Sequence, residues 1–130
     1  MIRKALILLY DKSKRILFQH RGKDAPSLPD YWAFFGGEIE NNESPEEAVK
    51  REAIEELEYE LKQPKLVMVQ KFKDKNNPGT KYVFMEKCDP TKKLNLREGQ
   101  NMGWFSIAET KKLKIIGHDR AVLKYVKDKY

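Results

Sequence analysis

The chain has 130 residues, of which 40% are apolar and 35% charged, a composition that fits one soluble globular domain with a buried core. Its longest apolar run, residues 5–10, is too short to cross a membrane, and the single cysteine, Cys88, excludes an internal disulfide framework, so we expect a cytoplasmic protein. The net charge of +6 suits a polyanionic partner, but the scattered lysines are also typical of a basic solvated surface.

The first third of the chain predicts a hairpin that leads into a pair of glycines. Residues 3–10 are apolar and nearly continuous, as in a buried strand, and residues 15–21 predict a second strand after a short turn. Residues 22–30 contain two prolines and predict a loop. The pair Gly36 and Gly37 follows, and glycines allow the backbone to come close to a phosphate or a metal ion.

The next segment carries the signals of a helix that begins at Pro45 and runs to about Leu57. Ser44 at the N-cap and Glu47 three residues later form a capping box, and proline is favoured at the first helical position. An apolar stripe of Val49, Ala53 and Leu57 would dock this helix on a sheet.

Three carboxylates, those of Glu52, Glu55 and Glu56, fall within an arc of about 100° on one face of this helix. Like charges at these spacings destabilise a helix by about 0.2–0.5 kcal/mol per pair, so a stabilising partner is expected. A hard divalent cation with oxygen ligands is one candidate. The alternative is a solvated acidic face with Lys50 and Arg51 as partial partners.

The second half of the chain predicts two further strands. Residues 58–75 are extended in character, residues 76–79 (Asn-Asn-Pro-Gly) form a strong turn signal, and residues 81–88 predict the returning strand. Strands on both sides of one amphipathic helix indicate a mixed sheet between helices.

The last segments predict a short strand and two helices. Residues 104–106 predict a strand that passes into a short helix at 107–112, and Asp119 is predicted to cap a final helix over residues 120–130.

The spacing of charged residues around the central helix resembles the Nudix box, G-x5-E-x7-R-E-U-x-E-E-x-G-U, where U is apolar. Gly37, Glu43, Arg51 and the three glutamates all stand at the required distances. Glu58 departs from the pattern, because it replaces a glycine that usually leaves the helix through a left-handed conformation. The resemblance covers about residues 3–125, so residues 1–130 are interpreted as one Nudix hydrolase domain with its box at 37–59.

The resemblance implies a Nudix-type α/β/α sandwich, with a mixed, mainly antiparallel-edged sheet and a loop–helix–loop catalytic motif. It implies Mg²⁺ as cofactor, with Mn²⁺ also possible. The implied metal ligands are the carbonyl of Gly36 and the carboxylates of Glu52, Glu55, Glu56 and Glu98. One of these glutamates would act as general base. Arg51 would orient a box carboxylate, and Glu43 would support it.

The same resemblance implies substrate contacts at Arg21 to a phosphate, at Phe34 to the base, and at the backbone of Gly37. Asp119 stands where MutT-like members hold an asparagine that reads the purine. Plainer alternatives stay open: a surface arginine, core packing for Phe34, a helix cap for Asp119 and a solvated loop glutamate for Glu98.

The implied reaction is metal-dependent hydrolysis of a nucleoside diphosphate linked to another group X. A nucleoside triphosphate, cleaved to the monophosphate and pyrophosphate, is the first expectation. ADP-ribose, nucleotide-sugar and dinucleoside polyphosphate hydrolases are alternatives, as are hydrolysis at an RNA 5′ end and a non-catalytic nucleotide or RNA sensor. The oligomeric state, monomer or homodimer, is left open.

Overall fold

The computed structural model describes residues 1–97, 99 and 101–129. The elements in chain order are β1 (Ile2–Tyr10), β2 (Ile16–His20), β3 (Trp32–Ala33), β4 (Phe35–Glu38), α1 (Pro45–Leu57), β5 (Lys65–Asp74), β6 (Asn77–Lys87), β7 (Asn101–Phe105), a 3₁₀ helix (Glu109–Lys112) and α2 (Gly117–Lys129). Neither α-helix in these ranges is both long and apolar enough to cross a membrane.

Strand β1 is the centre of a mixed sheet. It pairs in parallel with β6, from Ile2 opposite Gly79 to Tyr10 opposite Lys87, and antiparallel with β2 and β4. The order β3-β2-β1-β6-β5 is completed by β4 beside β1 and β7 beside β2. The predicted mixed sheet is therefore confirmed, and the parallel pair explains why residues 3–10 are almost continuously apolar.

The two α-helices cover opposite faces of this sheet. Alternate β1 residues point to opposite sides, so Ala5, Ile7 and Leu9 join the core under α1. Leu6 and Leu8 join the core under α2. The predicted stripe of Val49, Ala53 and Leu57 is fully buried. Each large apolar side chain buried this way contributes about 1.5–3 kcal/mol. The predicted α/β/α sandwich is confirmed.

Both ends of α1 follow the sequence closely. The capping box of Ser44 and Glu47 is formed in both directions, and the helix ends at Leu57. Glu58 adopts the left-handed conformation, with φ 53° and ψ 38°, and its N–H donates to the carbonyls of Ala53 and Ile54. The chain therefore leaves the helix as it would at a glycine, at a cost of about 1 kcal/mol for the Cβ.

The turn between β5 and β6 lies earlier than predicted. Lys75 and Asn76 have φ values of 51° and 71°, so they are the central residues of a two-residue hairpin turn. Pro78 and Gly79 are already part of β6, which corrects the predicted turn at residues 76–79. Pro78 is tolerated there because the pairing of β6 with β1 begins only at Gly79.

Candidate active site

The glycine pair lies in β4, pressed between β1 and α1. Gly36 has φ 141°, and a Cβ at this position would lie 2.2 Å from the carbonyl oxygen of Ala5. A Cβ on Gly37 would lie 2.6 Å from Oε1 of Glu52. The first position therefore requires glycine because of the backbone of β1, whereas a side chain at the second would displace the carboxylate of Glu52.

Glu56 joins helix α1 to this glycine pair. Its side chain is buried, with 3% of the residue exposed, and its Oε1 accepts the backbone N–H of Gly36 at 2.8 Å. A buried carboxylate needs such partners, because an unpaired buried charge is strongly unfavourable. This hydrogen bond links strand β4 to helix α1 at Gly36.

Arg51 is held in place by Glu43 from the segment before the helix. Its Nε donates to Glu43 Oε2 at 2.7 Å and its Nη2 to Glu43 Oε1 at 3.1 Å, a two-point contact. Nη2 also donates to the carbonyl of Glu38 at 3.1 Å. Hydrogen bonds from Arg51, and then from the N–H of Glu40, keep the pKa of Glu43 below its usual value.

The remaining Nη1 of Arg51 is shared by two box glutamates. It donates to Glu52 Oε1 at 3.0 Å and to both carboxylate oxygens of Glu55 at 3.2 Å. The side chain of Glu52 is 14% exposed and that of Glu55 is 54% exposed. Two box carboxylates thus converge on one cationic nitrogen next to the glycine pair, and the exposed carboxylate of Glu40 lies 3.5 Å from the same nitrogen.

The fit of a divalent cation is decided by these carboxylates. Within residues 1–97, 99 and 101–129, no three acidic, histidine or cysteine side chains are grouped as a ready ligand set. Glu52 and Glu55 meet at Arg51, whereas Glu56 faces Gly36. The donors are hard carboxylate oxygens of the kind that Mg²⁺ and Mn²⁺ prefer, so the residues fit such an ion once Glu52 and Glu55 turn from Nη1.

Glu98 lies outside the described residues, but the segment before it is tied to the end of α1. The N–H of Arg97 donates to the carbonyl of Glu56 at 2.8 Å, and the N–H of Asn95 to that of Leu57 at 2.9 Å. Arg97 also forms an ion pair with Glu58 at 3.0 Å. These contacts were not anticipated from the sequence, because they join residues about 40 positions apart.

Arg21 follows the last residue of β2 rather than ending that strand. Its Nε donates to the carbonyl of Ser27 at 2.8 Å within the loop. It lines a cavity of about 540 Å³ together with Gln19, Gly22, Lys23, Asp24, Ala25 and Gly99. Arg21 therefore lies beside this cavity, in the loop that follows β2.

Phe34 is buried in the core under α2. It is 3% exposed, and its ring stacks on that of Phe18 with the centroids 5.2 Å apart. These surroundings are those of the core-packing alternative.

Asp119 does not cap α2, which corrects the prediction. The helix begins at Gly117, so Asp119 lies within its first turn, and its Oδ1 accepts a hydrogen bond from Lys81 Nζ at 2.5 Å. Both residues are buried, at 6% and 3% exposure. Burial by itself would raise the pKa of Asp119, but the contacts with His118 and Lys81 outweigh it and lower the pKa.

Lys81 is the residue of this group that sequence reasoning missed. Lys81 lies two residues before Val83 in β6, and residues two apart in a strand lie on the same face of the sheet. Because Val83 belongs to the core under α2, the side chain of Lys81 is expected on that face as well. Its ammonium contacts both Asp119 and His118 Nδ1, and it lies 5.0 Å from the ring centroid of Phe72. The strand period alone would have flagged this lysine as buried and in need of an acidic partner.

Comparison with known proteins gives one family. A family model described as the NUDIX domain matches residues 2–126. No curated protein sequence matches the chain. Among solved structures, a MutT protein from Methanosarcina mazei is similar, with a TM-score of 0.87, 18% identity, and coverage of 98% of this chain and 94% of that one.

Two further solved structures that are similar to the chain are named for activities that differ from each other. An Ap4A hydrolase from C. elegans has a TM-score of 0.80 and 18% identity, covering 98% of this chain and 96% of that one. The dihydroneopterin triphosphate pyrophosphohydrolase of E. coli has a TM-score of 0.77 and 19% identity, covering 95% and 92%. At these identities the likeness shows a shared fold.

Proposed function

Because the chain belongs to the NUDIX family and is a hydrolase, we propose that it cleaves a diphosphate bond in a nucleoside diphosphate linked to a second group. A nucleoside triphosphate, converted to the monophosphate and pyrophosphate, is the proposed substrate class. The observation that carries this proposal is the convergence of Glu52 and Glu55 on Arg51, directly beside Gly37.

NUDIX hydrolases generally use divalent metal ions, and we propose Mg²⁺ here, with Mn²⁺ as a substitute. The ligands would come from the Gly36 carbonyl and from Glu52, Glu55, Glu56 and Glu98. When bound, the ion neutralises phosphate charge and lowers the pKa of an attacking water.

The protein residues supply orientation and a base. Arg51, anchored by Glu43, holds Glu52 and Glu55 close together in spite of their mutual repulsion. One of the box glutamates, or Glu98, would accept the proton of the attacking water.

Two residues are proposed to contact the substrate away from the box. Arg21 would offer its guanidinium group to a phosphate, whose oxygens match the fork of N–H donors. Asp119 would accept hydrogen bonds from base N–H groups, and its low pKa keeps it an acceptor only.

A dinucleoside polyphosphate is the second candidate substrate, favoured by the likeness to the C. elegans Ap4A hydrolase over nearly the full length of both chains. The products separate the two candidates, because a triphosphate yields pyrophosphate whereas a dinucleoside polyphosphate yields a second nucleotide.

The decisive experiment is a panel of nucleotides, dinucleoside polyphosphates, nucleotide sugars and 5′-triphosphorylated RNA, incubated with Mg²⁺ and analysed by mass. We expect turnover of a nucleoside triphosphate that EDTA abolishes. Cleavage of the RNA in preference to free nucleotides, with a steep salt dependence, would favour the nucleic-acid alternative.

Glu55→Gln is expected to lower kcat by about 100-fold or more, because it removes a negative charge where the cation would bind. The matched control is Glu46→Gln on the same helix, whose carboxylate contacts Lys50 and is 57% exposed. Steady-state rates with the best substrate of the panel measure both. Wild-type turnover by Glu55→Gln would show that Glu55 is not a metal ligand.

A further inference from the structure

A second cavity, of about 1060 Å³, opens at the far end of the central strands. It is lined by Tyr10 of β1 and Lys87 of β6, which are paired residues at the ends of those strands. Tyr10 is four residues along β1 from Leu6, the partner of Gly36, a separation of about 13 Å. None of the described residues lining it is a box glutamate, so the cavity is distinct from the candidate active site.

The floor of this cavity is apolar. Ile16, Val67 and Val126 are 3%, 8% and 2% exposed, and Met85 and Ile107 are half-buried beside them. Small-molecule sites are concave and mostly apolar, with a few polar groups that fix orientation, and their volumes are about 300–1,000 Å³. The floor and the volume match that description.

The rim of the cavity is strongly basic. Five lysines stand on it, at positions 14, 62, 65, 87 and 127. We call the whole feature the lysine-rimmed cavity.

The two carboxylates of the lining accept hydrogen bonds, and Asp89 also has a Coulomb attraction to the rim residue Lys62. Glu86 accepts backbone N–H groups of Lys62 and Gln63, and Asp89 accepts the N–H and hydroxyl of Thr91.

Four of the rim lysines form no ion pair with a carboxylate in the described part of the chain. Among the residues that the structure describes, no ion pair joins a carboxylate to Lys14, Lys62, Lys87 or Lys127. Elsewhere on the surface, Lys50 pairs with Glu46 and Arg15 with Asp11. The positive charge around the apolar floor is therefore left for a ligand to neutralise.

We propose that the lysine-rimmed cavity binds an amphipathic organic anion, a small molecule with an apolar body and a carboxylate or phosphate group. The apolar body would lie on Ile16, Val67 and Val126, and the anionic group would reach the rim lysines. A neutral apolar ligand would gain no Coulomb attraction from the exposed rim lysines, and a highly charged one without an apolar part would leave the floor exposed to water.

The test is a fluorescence titration with anilinonaphthalene sulfonate, followed by displacement with dodecanoate, dodecyl phosphate and dodecanol. We expect saturable displacement by one or both anions and at least about tenfold weaker displacement by dodecanol, because only the anions gain the Coulomb attraction of the rim. The carboxylate and phosphate arms identify which head group is preferred. Equal displacement by dodecanol, or no saturable displacement, would overturn the proposal.

A pair of charge-reversal variants locates the site. Lys62→Glu with Lys127→Glu should weaken dodecanoate binding by about tenfold or more. Lys73→Glu with Lys111→Glu changes the net charge equally at exposed lysines outside the lining, and should change binding by less than about twofold. Equal weakening by both pairs would overturn the proposal, because it would show a general effect of charge.

A cavity-filling variant provides a test that does not alter charge. Ile107 is half-buried at the edge of the floor, so Ile107→Trp should occupy the space while the fold is retained. Thermal unfolding of each variant without ligand checks that fold. Unchanged dodecanoate affinity in a folded Ile107→Trp protein would contradict binding on this floor.

Discussion

At the scale of single residues, the two adjacent glycines of β4 have different tasks. Gly36 makes room for the backbone of β1, a rigid neighbour, and it has a positive φ that side chains rarely adopt. Gly37 makes room for the carboxylate of Glu52, the movable end of a side chain. One glycine is therefore needed for the fold and the other for the geometry of the site.

Alanine substitutions separate these tasks. Gly36→Ala should lower the free energy of unfolding by about 2 kcal/mol or more, because of the positive φ and the clash with the carbonyl of Ala5. Gly37→Ala should leave the melting temperature almost unchanged and lower kcat about tenfold or more by displacing Glu52. Denaturant unfolding and steady-state kinetics measure the two effects.

Gly117 provides the control for this pair, because nothing lies within 4 Å of a Cβ placed there. Gly117→Ala should match the wild type in stability or exceed it slightly. A stable Gly36→Ala protein, or a fully active Gly37→Ala protein, would contradict the division of tasks.

The sequence indicated which residues lie close together at the site, but not how their side chains are oriented or which groups they contact. The spacing of the three glutamates predicted one shared arc, and Arg51, expected as a partner of a box carboxylate, donates to Glu52 and Glu55. It could not show that Glu56 turns to the N–H of Gly36, because that contact spans 20 residues and depends on how α1 docks on the sheet. Helical periodicity predicts the face of the helix on which a side chain lies, but it does not predict which groups that side chain contacts.

At the scale of elements, the end of α1 is a place where residue type and backbone conformation disagree. Glu58 occupies a left-handed conformation that favours glycine. Its side chain forms an ion pair with Arg97, in which the side chains of Glu58 and Arg97 are 45% and 60% exposed. Exposed pairs of this kind contribute at most about 1 kcal/mol, so the Cβ penalty is not clearly offset.

Glu58→Gly should therefore raise the free energy of unfolding by about 0.5–1 kcal/mol relative to Glu58→Ala. Both variants lose the contact with Arg97, but only the glycine relieves the left-handed conformation. Thermal unfolding of the two proteins under identical conditions measures the difference. Equal stability of the glycine and alanine variants would mean that the helix end is not strained.

Local signals predicted the existence of elements better than their limits. The capping box located the start of α1 to the residue, because all of its groups lie within four positions. The turn lies earlier than the predicted residues 76–79. Its position is set by the register of β5 against β6, and β6 is also paired with β1. The cap expected at Asp119 failed for a similar reason, since Lys81 lies 38 positions away.

At the scale of the whole molecule, helix α2 is joined to the sheet by a buried polar contact. Lys81 of β6 binds Asp119, and Gln70 of β5 donates to the carbonyl of His118 at 2.8 Å. Oε1 of Gln70 is buried and has no hydrogen-bond partner among the residues that the structure describes. Strands β6 and β5 thus hold the start of α2 by ionic and amide groups, while its later turns pack by apolar contact.

Breaking this contact from one side should be costly. Asp119→Ala leaves the ammonium of Lys81 buried without its carboxylate, and we expect a loss of about 3–5 kcal/mol. The double variant Lys81→Met with Asp119→Leu should be more stable than Asp119→Ala, because neither charge remains buried. Chemical denaturation measures the three proteins, and Asp128→Ala, at an exposed position of α2, is the control.

The same contact predicts a dependence on acid. Because the pKa of Asp119 lies below its unfolded value of 3.8, the stability that its ionised form contributes is present above that pH. It is lost as the pH falls through the lower pKa of the folded state. The stability difference between wild type and Asp119→Ala should therefore shrink below about pH 3.8. A constant difference down to pH 2 would contradict an ionised Asp119.

The parallel pairing of β1 with β6 has a consequence for the making of the protein. Strand β1 is synthesised before β6 and pairs Ile2 with Gly79 and Tyr10 with Lys87, so its parallel pairing is complete only after Lys87 has emerged from the ribosome. During that delay an apolar segment with open edges is exposed, a condition that favours aggregation and slow closure. Nascent chains that stop before β6 should therefore be the ones that chaperones retain.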